Sequence, residues 1–215
     1  MQSKPTLKGL AVFGLVAGQT TTLTLTGENL APSAVTVKGP LRAKLLDTKP
    51  TTVVVEVIVP ANCPPESFEL TLVHPKDSPT IKLPVLLSVA QELPVKKPLS
   101  RFQEAMPLPL APSASLAVQT NLDNDQAHLY QLTLKRSEKL EVIVTGARSP
   151  LSDLDPLLRL RDSQRRMLTL AAGRLRTDRR LSFTAPSDGI YYLEIGDTQQ
   201  RGGPKMLYRL VVRRL

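Results

Sequence analysis

The sequence predicts an all-β protein of two β-sandwich domains joined by a proline-rich linker. Its 215 residues are enough for two small domains. Its 19 prolines are spread along the chain, and proline interrupts helices but is tolerated at turns and edge strands. Short segments that alternate apolar with polar residues lie between turn residues, as expected for half-buried strands. No helical pattern longer than two turns is present.

The first domain is predicted over residues 1–91. Thr20–Thr26 alternates Thr with Leu, which is typical of a strand with one solvent-exposed face. Residues 27–30 are predicted to form the turn after it. Thr51–Val59 is the longest β-branched run and is predicted to be central. Further strands are expected at Val35–Lys38, Ser67–Val73 and Ile81–Val89. This spacing favours a small β-sandwich.

The segment 92–112 is predicted to be the linker, because its proline density favours extended chain. Its apolar residues would be exposed to water if the segment stood free, so we expect it to lie on one of the domains. The prolines are Pro94, Pro98, Pro107, Pro109 and Pro112, and the apolar residues are Phe102, Met106, Leu108 and Leu110.

The second domain is predicted over residues 113–215 as a jelly-roll-like sandwich of eight strands. The strands are Ser115–Thr120, His128–Leu134, Lys139–Thr145, Pro156–Arg161, Met167–Ala171, Arg180–Thr184, Ile190–Gly196 and Leu207–Val212. Alternation along a strand places Leu158 and Leu160 inside and therefore Arg159 and Arg161 outside. The same rule places Tyr191 in the core and Tyr192 at the surface.

The second domain resembles the bacterial pre-peptidase C-terminal (PPC) domain. The resemblance depends on five segments: residues 123–130, Leu140–Val144, Leu154–Asp162, residues 188–192 and residues 202–210. The first domain resembles the TIG/IPT type of immunoglobulin-like domain at Gly18-Gln19 and at residues 25–30. Together they imply a non-catalytic accessory region of an exported bacterial protein, located outside the cytoplasm. The alternative is a purely structural spacer or folding module within a larger secreted protein.

A basic segment is the first candidate binding site. The chain has a net charge of +9. Eight arginines and two acids lie between Arg159 and Arg180, which accounts for the whole positive excess of the second domain. Arginine binds carboxylates and phosphates with two parallel hydrogen bonds, so an anionic polysaccharide or an acidic patch of an extracellular protein or neighbouring domain is the expected partner. The alternative is a solvated charged face. The arginines predicted to point outward are Arg159, Arg161, Arg174, Arg176, Arg179 and Arg180.

Tyr192 and three aspartates are the remaining candidate binding residues. Collagen-binding relatives of the PPC family use exposed tyrosines, so the resemblance nominates Tyr192 as a contact. Some family members bind calcium, which takes several carboxylate oxygens; Asp123, Asp125 and Asp155 are the candidate ligands. The alternative is that these aspartates cap turns by accepting backbone N–H bonds. No other cofactor is expected.

Enzymatic and nucleic-acid motifs are absent from the sequence. It contains no Gly-x-Ser-x-Gly, Walker-type or His-Glu-x-x-His motif, so no enzyme is predicted. It lacks RNA-binding and helix-turn-helix signatures, so nucleic acid is not an expected partner. No run approaches the ~20 apolar residues of a membrane span, and residues 1–6 lack the apolar core of a signal peptide. Either the protein is cytoplasmic or the sequence is a region excised from a longer exported chain, and the PPC resemblance favours the second. The single cysteine, Cys63, cannot form an internal disulfide and is predicted to be a small filler residue.

Overall fold

The computed structural model describes residues 5–10, 14–63, 67–73, 83–95, 100–122, 127–146, 152–171 and 178–215. Its regular elements are strands, apart from one 3₁₀ turn at Phe102–Glu104, so the predicted all-β class is confirmed. The chain divides into two compact units, Met1–Glu92 and Leu93–Leu215. Within the described residues, no helix has both the length and the apolar character needed to span a bilayer.

The first unit is a sandwich of two four-stranded sheets. Its strands are β1 (Thr6–Leu10), β2 (Gly14–Leu15), β3 (Thr20–Glu28), β4 (Ala34–Val37), β5 (Arg42–Thr48), β6 (Thr52–Ile58), β7 (Ser67–Val73) and β8 (Leu83–Val89), followed by the two-residue β9 (Gln91–Glu92). One sheet has the order β1-β3-β6-β5 and the other β2-β8-β7-β4. Lettered A to G with β2 as A′, these are the ABED and A′GFC sheets of an immunoglobulin-like sandwich.

The core of the first unit lies between these sheets. Leu23 and Leu25 of β3 are fully buried while the intervening threonines are not, which is the one-wet-face pattern that the Thr–Leu alternation predicts. Val53, Val55 and Val57 lie beside them on the neighbouring strand β6 of the same sheet, and Cys63 is buried in the same cluster.

The turn predicted at residues 27–30 begins later than expected. Gly27 and Glu28 continue β3 because they pair with Leu7 and Thr6 of β1. The chain turns at Asn29, which has φ 54°. A Cβ atom on Gly27 would collide with the carbonyl oxygen of Thr6, so glycine is needed for the close approach of β1 rather than for the turn.

The second unit is a sandwich in which the eight strands have jelly-roll order. The short β10 (Met106–Pro107) precedes β11 (Ser115–Asn121), β12 (His128–Leu134), β13 (Lys139–Thr145), β14 (Pro156–Asp162), β15 (Met167–Ala171), β16 (Arg179–Thr184), β17 (Gly189–Asp197) and β18 (Leu207–Arg214). One sheet has the order β10-β12-β17-β14-β15, and the long strands of the other are ordered β16-β13-β18-β11. Successive strands change sheet at every step except β14 to β15. The predicted strands and the jelly-roll-like sandwich are therefore confirmed.

The proline-rich segment packs on the second unit. Leu108 and Leu110 are buried in the second core, and Met106 packs against it. The backbone N–H of Leu108 donates to the carbonyl oxygen of Gln131 at 2.7 Å, which extends the short parallel pairing of β10 with β12. The segment is thereby fixed along the edge of the β12 sheet.

Candidate functional site

The outer surface of the β12–β17–β14 sheet brings together several of the predicted residues. Leu158 and Leu160 are fully buried, so Arg159 and Arg161 point outward as the alternation predicts. Tyr191 is buried and Tyr192 lies on the outer side, where it pairs across the strands with Arg161. The predicted side-chain directions on β14 and β17 are confirmed.

An aromatic pair with an arginine on top of it lies on this surface. The Phe102 and Tyr192 rings meet edge to face, with centroids 5.1 Å apart. The guanidinium carbon of Arg165 lies 4.9 Å from the centre of the Phe102 ring, within the range of a cation–π interaction. Phe102 covers part of Tyr192, which is therefore half-buried rather than fully exposed. The group Phe102, Arg159, Arg161, Arg165, Tyr192 and Glu194 is called the aromatic–arginine face below.

Glu194 holds the two outward arginines in place. Arg159 Nη1 donates to Glu194 Oε1, and Arg161 Nε donates to Glu194 Oε2. Arg161 also donates through Nη1 to the carbonyl oxygen of Arg165 at 3.0 Å. Glu194 itself is buried beneath these side chains although it is on the outer face. One carboxylate thus neutralises one of the three arginines of the face, and the face keeps two positive charges.

A cavity of about 360 Å³ adjoins the aromatic–arginine face. Arg159 belongs to both, and Arg201 is the second arginine at its wall. The remaining wall residues are Ala127, Leu157, Gly196, Asp197, Thr198 and Gln200. The Asp197 carboxylate lies in the same wall as the two guanidinium groups, so the cavity is suited to a small hydroxyl-bearing group.

Arg179 was predicted to point outward, and this is wrong. Its side chain is 3% exposed and its Nη2 donates to Asp155 Oδ1 at 2.9 Å. The cause is strand parity, because Arg179 shares its face of β16 with the buried Leu181. Arg180 does point outward and donates to Glu141 Oε1 at 2.8 Å, but on the other sheet, away from Arg159 and Arg161. Arg174 and Arg176 lie outside the described residues.

Asp155 has an environment that does not suit calcium. One carboxylate oxygen accepts from Arg179, and the other accepts from the Thr198 hydroxyl at 2.6 Å. A guanidinium in contact with the carboxylate supplies the positive charge that a cation would bring. In the described part of the chain no three His, Cys, Asp or Glu side chains come together as a metal site would require. Asp123 and Asp125 lie outside the described residues, so calcium binding there stays a prediction.

Asp197 joins the end of β17 to the Leu154–Pro156 segment, and sequence patterns did not single it out. Arg201 donates to both carboxylate oxygens at 2.9 Å, and the backbone N–H groups of Asp155 and Gln199 donate at 2.9 Å. Burial alone would raise the pKa of this carboxyl. The bonds from the Arg201 guanidinium and from the backbone N–H groups of Asp155, Arg201 and Gln199 outweigh burial and lower the pKa below its ordinary value.

The lowered pKa of Asp197 makes a pH-dependent contribution to stability. The ionised form stabilises the fold above the unfolded pKa of about 4, and this stabilisation is lost as the pH falls through the lower folded value. We expect Asp197→Asn to lower the melting temperature at neutral pH and to show a shallower loss on acidification than wild type. Asp153→Asn, which changes an exposed carboxylate nearby, is the control. Thermal unfolding followed by circular dichroism from neutral pH to about pH 2 tests this, and parallel curves for Asp197→Asn and wild type would contradict it.

A buried polar chain crosses the core of the second unit. The hydroxyl of Tyr208 lies 2.7 Å from His128 Nδ1 and 2.5 Å from the hydroxyl of Tyr130. Burial raises the pKa of Tyr130 well above its ordinary value, against the smaller opposite effect of the bond to Tyr208. All three side chains are almost fully buried, so this chain is a structural feature of the core.

No family model matches the sequence, and no curated protein matches it. Solved structures similar to the chain include the PPC domain of a collagenase from Bacillus anthracis, at 16% identity and a TM-score of 0.40, covering 51% of this chain and 95% of that one. The periplasmic lysozyme inhibitor PliG from Aeromonas hydrophila is similar at 13% identity and a TM-score of 0.42, covering 52% and 96%. The secreted serine protease VesC from Vibrio cholerae is similar at 9% identity and a TM-score of 0.36, covering 97% and 51%. Identities and TM-scores this low do not establish that the chain belongs to the family of any of these proteins or shares its function.

Proposed function

We propose that this chain is a non-catalytic accessory region of an exported bacterial protein whose second unit binds an anionic extracellular polysaccharide on the aromatic–arginine face. The observation that carries the proposal is the edge-to-face pair of Phe102 and Tyr192 with Arg165 on the Phe102 ring, on a solvent-facing surface. Aromatic side chains provide apolar contact area at little cost in conformational entropy. Arginines beside them provide the partners for carboxylate or sulfate groups.

The fixed arginines support the same proposal. Glu194 and the carbonyl oxygen of Arg165 hold Arg159 and Arg161 in one conformation, so little side-chain entropy remains to be lost on binding. Two positive charges remain after Glu194 is counted. A polymer with regularly spaced anions would place one group at Arg165 and a second at Arg159, next to the cavity that Arg201 also lines.

A binding assay with three polymers tests the proposal. We expect immobilised heparin or polygalacturonate to retain the chain at low salt and neutral dextran not to retain it, with retention weakening as salt screens the charges. Arg165→Ala should lower the affinity about fivefold, because one charge-assisted contact is lost. Tyr192→Ala should have a similar effect without changing the salt dependence, because it removes apolar contact rather than charge.

Arg180→Ala is the matched control, since it removes an exposed arginine on the other sheet. Equal losses for Arg165→Ala and Arg180→Ala would mean that binding follows net charge alone and would overturn the proposed site. Binding to heparin but not to polygalacturonate would assign the site to sulfate groups, and the reverse to uronate groups. If none of the polymers retains the chain, the polymer-binding proposal is wrong and the alternative of a structural spacer is favoured.

The same proposal includes membership of the PPC and TIG/IPT families and a location outside the cytoplasm. The jelly-roll order of the second unit and the immunoglobulin-like order of the first are compatible with the two resemblances, and the quoted sequence motifs are their support.

A further inference from the structure

The cavity beside the aromatic–arginine face is lined partly by apolar and partly by polar groups. Leu157 and Gly196 are paired across β14 and β17, and together with Ala127 they form the apolar part of the lining. Thr198, Gln200 and the two arginines form the polar part. Its volume of about 360 Å³ lies within the range of small-molecule sites. Such a lining matches a pyranose ring, which presents apolar C–H groups on its faces and hydroxyl groups at its edge.

The polar part of the lining is held in place by the turn that follows β17. The Asp197 carboxylate accepts both the backbone N–H and the guanidinium of Arg201. The backbone N–H of Gln200 donates to the carbonyl oxygen of Asp197 at 3.0 Å, and that of Thr198 donates to the carbonyl oxygen of Asp155 at 2.9 Å. A ligand would therefore meet a formed site and would not have to order it.

The charges in the lining favour an uncharged occupant. Arg201 donates to both oxygens of Asp197, and Arg159 donates to Glu194, so each guanidinium already has a carboxylate partner. An anionic group in the cavity would meet the Asp197 carboxylate as well as the arginines. A hydroxyl group both donates and accepts. It can accept from Arg201 Nη1, which takes part in none of the hydrogen bonds within the described residues, and donate to the hydroxyl oxygen of Thr198.

The cavity lies in line with the charged part of the face. Leu157 is two residues from Arg159 along β14, and Gly196 is two residues from Glu194 along β17, which is a distance of about 7 Å. A polymer that follows these strands with an anionic group at Arg159 therefore brings a neighbouring unit to the cavity.

We propose that the cavity is a subsite for an uncharged, hydroxyl-bearing sugar unit, so that the preferred polymer alternates anionic with neutral sugars. This inference rests on the proposed function, because the anionic units of the same polymer bind the arginines of the face. It narrows the anionic polysaccharide to the alternating class and predicts weaker binding of a polymer built from uronate alone.

Two oligosaccharides of equal charge separate the cavity from the arginines. A hyaluronan hexasaccharide alternates glucuronate with the neutral N-acetylglucosamine, and a galacturonate trisaccharide carries the same number of carboxylates without neutral units. We expect the hexasaccharide to bind at least about fivefold more tightly in calorimetric titration. It should shift the amide NMR signals of Gly196, Thr198 and Gln200, which the trisaccharide should leave unchanged.

Gly196→Val fills the cavity without removing a charge. A Cβ atom at Gly196 would lie 3.8 Å from the Cβ atom of Ala127, an ordinary van der Waals contact, and valine is favourable in strands. We expect the variant to bind both oligosaccharides with the affinity that wild type has for the trisaccharide. Gly189→Val is the matched control, because it lies on the same strand and a Cβ atom there meets nothing within 4 Å. Thermal unfolding checks that both variants are folded.

Gln200→Ala is a second variant, which removes an exposed amide from the lining. It should lower the affinity for the hexasaccharide alone, by about threefold. Equal affinities of wild type for the two oligosaccharides, or a preference that Gly196→Val and Gln200→Ala both leave intact, would overturn the inference. The proposed function would still stand if heparin or polygalacturonate is retained through Arg165. If neither the oligosaccharides nor these polymers bind, both proposals are wrong.

Discussion

Arg179→Ala is expected to lower the free energy of unfolding of the second unit by about 3–5 kcal/mol. Arg179 and Asp155 form an ion pair with side chains 3% and 5% exposed. Removing one member leaves a carboxylate in a buried place without the charge that compensates it, which costs far more than the loss of an exposed pair. Denaturant unfolding should show the effect in the transition of the second unit only.

The neighbouring residue provides the control for Arg179. Arg180 is 64% exposed and pairs with Glu141, so Arg180→Ala should cost less than about 1 kcal/mol. Replacing both members of the buried pair, as in Asp155→Leu/Arg179→Leu, should recover most of the loss, because no uncompensated charge remains. Similar costs for Arg179→Ala and Arg180→Ala would show that the Asp155 carboxylate does not depend on Arg179.

Tyr208→Phe is expected to destabilise the second unit by about 2 kcal/mol, since its hydroxyl is bonded to both His128 and Tyr130 in the core and buried hydrogen bonds contribute about 1 kcal/mol each. The variant keeps the ring and the packing, so the loss reports the polar chain alone. Tyr191→Phe is the matched control, because its hydroxyl makes a single bond, to the carbonyl oxygen of Ser187 at 2.8 Å. Its cost should be about half or less.

Both variants are compared with wild type by thermal and denaturant unfolding. An equal or greater cost for Tyr191→Phe would contradict the structural importance of the polar chain. An unchanged stability for Tyr208→Phe would show that His128 and Tyr130 exchange partners without loss when the hydroxyl is removed.

The strands that carry the candidate site could be predicted from sequence because buried residues alternate with partly exposed ones along β14 and along the first half of β17. Period-two alternation in β14 and β17 identifies both the strands and the direction of Arg159 and Tyr191, and neither depends on knowing which strands are neighbours. The same alternation, counted back from Leu181, would have placed Arg179 inside. The sequence contained this alternation, but the predicted strand began at Arg180 and so left Arg179 out of it.

The rest of the candidate site depends on contacts between distant segments. Nothing local to Glu194 indicates that it faces Arg159, because the contact depends on the register of β14 against β17. Phe102 reaches Tyr192 from the proline-rich segment, and its apolar character alone predicts that it packs but not where. Strand β5 was missed because an edge strand with Arg42, Lys44 and Asp47 mostly exposed has little apolar pattern.

The pairing of β11 with β18 has a consequence for how the second unit folds. Ser115 lies opposite Arg213 and Asn121 opposite Leu207, so the first and last long strands of the jelly roll are neighbours. The sheet that contains them cannot be completed until almost the entire unit has been synthesised, and such non-local pairings fold slowly. A nascent second unit therefore stays open while it emerges. Closure of the sandwich then waits for β18, so deletion of that strand removes the step that completes the fold.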